Sequence, residues 1–132
     1  MTTQSAQATA PTPAIFIERL QQAIRVVKKA ATDPDVVFDI DVYAASEDNA
    51  LHACIAGLCG FDPWFQEQGL RTRMDDDIGD VSIQPLEFFG TEGPFFHSGY
   101  ESGAKARSVT FQDGIDALKR EIERLQAPAI TG

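Results

Sequence analysis

The sequence predicts a mainly α fold: a small single domain with two long terminal helices, shorter central helices and one extended segment. Three observations carry that prediction. Apolar residues recur at three- and four-residue steps near both ends of the chain, from Phe16 to Ala31 and from Phe111 to Leu125. Pairs such as Asp62-Pro63, together with closing glycines, punctuate the middle as short helices do. Only Phe38-Asp39-Ile40-Asp41-Val42-Tyr43 alternates with the period of a strand. The 132 residues suit one domain, placed at residues 13–126 between a disordered tail (1–12) and a flexible one (127–132).

Each element has a local cause. Thr12-Pro13 opens the first helix with a capping hydroxyl and a proline at the first helical position. Phe16, Leu20, Ala23, Ile24, Val27 and Ala31 form its apolar stripe. Lys28 and Lys29 suit the negative end of the helix dipole, and Asp33-Pro34 stops it. The alternating 38–43 segment has no evident strand partner, since Ser82-Ile83 and Val109-Thr110 are too short, so its pairing stays open. Ser46 is expected to cap a helix through Leu51, Cys54, Ile55 and Leu58, ended by Gly60. Gly57 within it costs about 1 kcal/mol relative to alanine unless close packing uses the missing side chain. Asp62-Pro63 starts a short helix closed by Gly69, and Pro85–Phe89 another closed by Gly90.

Gly90 to Ser108 reads as a long glycine-rich loop, held down by Phe95 and Phe96, with Tyr100 as its contact residue. Thr110 and Asp113 have capping-box spacing at the start of the last helix. Its stripe of Phe111, Ile115, Leu118, Ile122 and Leu125 is a seam against another helix, and Pro128 ends it. The seam is expected inside the domain, with a homodimer as the alternative.

Charge is the unusual feature. Twenty acidic residues face eleven basic ones, for a net charge of −9. Residues 33–101 hold fifteen acids against Arg71 and Arg73, a net of −13, while both flanks are mildly basic. Direct binding to nucleic acid or to an anionic membrane is therefore disfavoured. Either the basic flanking helices lie on the acidic middle and neutralise it, or part of that middle faces a positively charged partner. Asp75, Asp76, Asp77 and Asp80 are its densest patch.

Familiar chemistries fail on spacing. With His52, Cys54 and Cys59 on one helix, no single zinc ion reaches them together, and a Cys54–Cys59 disulfide exceeds the Cα limit. An EF-hand register on Gly79 puts Met74, Ile78 and Pro85 at positions that need carboxylates. Walker-type, dinucleotide-binding and nucleophile-elbow patterns are missing from the sequence. Cys54 with His97 is the one nucleophile–base pair that spacing leaves open. No metal or cofactor is expected. Two cysteines without a basic, apolar leader point to a reducing, cytoplasmic setting.

Residues 38–43 followed by His52-Ala53-Cys54-Ile55-Ala56-Gly57-Leu58 resemble a pattern in small uncharacterised bacterial and phage proteins. There an F-x-M-x-x-W segment precedes C-G-T-x-x-C-I-A-G-W-A. The resemblance spans roughly residues 38 to 60 and extends loosely to Leu86-Glu87-Phe88-Phe89 and the last helix. This chain departs at Ile40, Tyr43, Asn49 and Leu58. The resemblance implies a phage or mobile-element origin and a mainly helical fold, and it brings no assigned activity. The expectation for function is thus a non-enzymatic acidic protein that binds a basic protein partner through Asp75, Asp76, Asp77, Asp80 and Tyr100. A nucleic-acid-mimic inhibitor of a host nucleic-acid-binding or defence protein is the specific form. A small cysteine-dependent enzyme and a self-associating structural protein are the alternatives.

Overall fold

The computed structural model describes residues 12–95 and 109–127. Tyr100, Phe96, His97 and nearly all of both tails lie outside the described residues, and with them the Cys54–His97 pair. The fold is α/β, which corrects the mainly α expectation. Helices α1 (Pro13–Ala30), α2 (Ile55–Cys59), α3 (Pro63–Glu67), α4 (Pro85–Phe89) and α5 (Phe111–Gln126) accompany five strands. These are β1 (Val36–Phe38), β2 (Ala44–Glu47), β3 (Ala50–Ala53), β4 (Thr72–Asp75) and β5 (Ile78–Val81). They form one mixed sheet in the order β1-β3-β2-β5-β4, with only the β1–β3 pair parallel.

The correction falls in the middle of the chain. Ser46 caps no helix; it lies in β2, and Asp48-Asn49 turn the chain into β3. Both turn residues have positive φ (54° and 63°), as a two-residue type I′ hairpin requires, and Asp and Asn tolerate that region best after glycine. Asp76-Asp77 make the second tight hairpin, with Asp76 at φ 58°. Of the alternating 38–43 segment only Phe38 is in a strand; residues 39–43 connect β1 to β2.

The helix ends follow their sequence signals. Thr12 accepts from the Ile15 N–H, Asp62 from that of Phe65, and Thr110 with Asp113 completes a reciprocal capping box. Gly90 closes α4 at φ 78°. The α5 stripe packs on α1 within the same chain, the most extensive helix–helix contact among the described residues. Arg19 joins α1 to α4: it donates to the Phe88 carbonyl (2.8 Å) and stacks over the Phe88 ring.

One apolar core runs from Leu20 to Ile122 and includes buried Phe65, Phe88, Phe89 and Phe95. It sits between the helices and one face of the sheet. α2 closes against β4 so tightly that Thr72 donates its hydroxyl to the Gly57 carbonyl (2.7 Å). A Cβ on Gly57 would overlap the Tyr43 carbonyl, and one on Gly114 of α5 would stand 2.9 Å from Phe38. Gly57 thus ends up where its missing side chain is used.

Candidate interaction face

Strand register sorts the sheet residues into two faces, because successive side chains alternate. Ala44, Ala53, Phe38, Thr72 and Val81 point to the helices and are buried. The other face is crossed by a single row of partners, Val37–His52–Ala45–Ile78–Asp75, one residue from each strand. Beside that row stand Arg73 and Asp80, themselves cross-strand partners.

The hairpin β4–β5 projects at one edge of this face. Asp75, Asp76, Asp77 and Asp80 are all exposed, and Ile78 among them is 70% exposed. Arg73 faces Asp80 without closing a salt bridge; among the described residues the Lys/Arg–carboxylate pair is Arg124–Glu121, internal to α5. No lysine or arginine described in α1 or α5 forms an ion pair with these four aspartates. Asp80 spends one carboxylate oxygen on the Val81 N–H (2.8 Å), which leaves its charge displayed. The hairpin is anchored where the Ser46 N–H donates to the Asp77 carbonyl (2.8 Å). The site residues expected from sequence thus divide in two: the four aspartates come together here, and Tyr100 lies outside the described residues.

Nearer the centre, His52 is buried between two carboxylates. Its Nδ1 is 4.0 Å from Asp39 Oδ2 and its Nε2 3.6 Å from Glu47 Oε1. Both distances exceed hydrogen-bond reach, and among the described residues Nδ1 has no hydrogen-bond partner. Asp39 accepts the Asp41 N–H (3.0 Å) and so is held in place by the connecting loop. Protonation of the imidazole would turn both contacts into ion pairs. The two carboxylates address opposite ring nitrogens, so the trio does not converge on one metal ion. Sequence reading missed this cluster because it placed His52 on a helix.

Cys54 precedes α2 and Cys59 ends it; both are buried, and neither is in a disulfide. The helical-spacing argument against a shared zinc site fails in its premise, since His52 is on a strand. Among the described residues, however, no group of three or more His, Cys, Asp or Glu side chains could hold a metal ion. Burial pushes the Cys54 thiol up to about 11 and the Cys59 thiol well up too, so neither is held as a thiolate at neutral pH. Among the described residues no helix is long and apolar enough to cross a membrane.

No protein-family model, curated protein or solved structure matches this chain.

Proposed function

We propose that the protein is a non-enzymatic interaction module whose acidic outer sheet face, centred on the β4–β5 hairpin, binds a basic surface on a protein partner. A nucleic-acid-mimic inhibitor of a host nucleic-acid-binding or defence protein, encoded by a phage or mobile element, is the form that fits a small acidic chain. The observation that carries the reading is the display of Asp75, Asp76, Asp77 and Asp80, exposed and unpaired with any described lysine or arginine. Exposed Ile78 gives the same patch an apolar contact point, and mixed apolar and charged surface suits protein recognition better than solubility alone. Buried, protonated thiols weigh against cysteine chemistry.

Affinity capture from the native host at low and high salt tests the proposal. The expected result is a basic partner retained at low salt and released by several-fold higher salt, as charge-steered binding requires. Replacing Asp75, Asp76, Asp77 and Asp80 by asparagine should abolish that retention. Capture insensitive to both salt and the four substitutions overturns the proposal.

A further inference from the structure

On the helical side, a groove of about 390 Å³ opens between α1, the β1–β3 edge and the α2–α3 connection. Its walls include Val26, Leu51, Leu58 and Phe61, and Phe61 remains 40% exposed at the mouth. That volume falls within the range that small-molecule sites occupy. The rim carries charge of both signs. Arg25 and Lys29 stand one helical turn apart on the same flank of α1. Asp33 and Asp62 line it as well.

These four charges are not equivalent. Asp33 accepts the Asp35 N–H (2.9 Å), and Asp62 caps α3 through the Phe65 N–H (3.4 Å); each carboxylate spends one oxygen on a backbone donor and keeps its charge. Arg25 donates to the neutral Gln22 amide (2.8 Å). Among the described residues neither Arg25 nor Lys29 has a carboxylate partner. The two cations and two carboxylates of the rim balance, which sets this groove apart from a chain of net charge −9. We infer that this groove binds a small amphipathic carboxylate, its apolar body against Leu51, Leu58 and Phe61 and its anionic head between Arg25 and Lys29.

The overall negative charge makes the test discriminating, since an anion is repelled elsewhere on the surface. Decanoate, kept below its micelle concentration, is titrated into the full chain by calorimetry, with decanol as the uncharged counterpart. Decanoate should bind, and decanol should bind several-fold more weakly. Arg25→Gln with Lys29→Gln should weaken decanoate by roughly fivefold to tenfold while leaving decanol unchanged. Both side chains are exposed on a helix, and circular dichroism establishes that the variant folds. Phe61→Ser, at the exposed mouth, should weaken both ligands. Absence of decanoate binding, equal affinity for decanoate and decanol, or affinity unchanged in the double variant each overturns the inference.

Discussion

Neighbouring residues of the same strands meet opposite surroundings. Thr72 and Val81 are buried under α2, while Arg73 and Asp80, one position away on each strand, are exposed. The inner side of the sheet is closed by glycines that admit backbone at van der Waals contact and by a cluster of phenylalanines. The outer side, at the β4–β5 end, carries four aspartates against Arg73 alone on the same hairpin, and none of the four forms an ion pair with a described lysine or arginine. Stability therefore resides on one side and charge on the other. The two should separate under mutation: inner-side changes should unfold the protein, and outer-side changes should alter binding with the fold intact.

The largest expected effect is Gly57→Ala. Even the smallest side chain would overlap the Tyr43 carbonyl, and backbone cannot swing aside as a flexible side chain can. The loss should be about 3 kcal/mol or more, read from the urea midpoint. A loss below about 1 kcal/mol would mean that the 39–43 connection yields easily, and the contrast between the two sides would blunt.

That glycine also marks how far the sequence was legible. Helices α1, α3, α4 and α5 were readable because Thr12, Asp62, Gly90 and the Thr110–Asp113 pair act locally, on backbone groups within a few residues. The strands were not. Ala44–Glu47 and Ala50–Ala53 are four residues each, rich in alanine and free of Phe, Tyr and Trp, so neither propensity nor alternation marks them. Their turns use Asp-Asn and Asp-Asp rather than the glycine-containing pairs that advertise a hairpin. Ser46 followed by acids then imitates a helix cap, and pairing across the sheet overrides it. The aspartate cluster was visible as composition. Its display at the edge of the outer sheet face, the burial of His52 beside Asp39 and Glu47, and the groove under α1 depend on that pairing and had no local signature.

A smaller effect is expected from alkali, again on the inner side. Burial raises the Cys54 thiol from an ordinary 9.0 to about 11, and raises Cys59 in the same direction. Between those values the unfolded chain has lost a proton that the folded chain keeps, so stability falls as pH rises. The contribution is fully present below pH 9 and gone above about 11, on the order of 2–3 kcal/mol for Cys54. Denaturant midpoints at about pH 8 and about pH 10.5 should therefore diverge more for the native chain than for Cys54→Ala, which has already lost that contribution. Equal divergence in the two proteins would place the alkaline sensitivity elsewhere.

The smallest effect on stability should come from the change with the greatest effect on binding. Asp75, Asp76, Asp77 and Asp80 are exposed and make no ion pair with a described lysine or arginine, so converting them to asparagine removes repulsion among like charges and little else. In Asp76→Asn the turn would keep its positive φ, because asparagine tolerates that region as well as aspartate does. In Asp80→Asn the side-chain amide would still offer an oxygen to the Val81 N–H. The melting temperature of the fourfold variant should move by no more than about 2 °C, and upward if at all. Adding salt should raise the melting temperature of the native protein more than that of the variant, because screening relieves a repulsion only the native hairpin retains. A large drop in the variant would show that the carboxylates hold the hairpin together, and their charge would then need no partner to explain it.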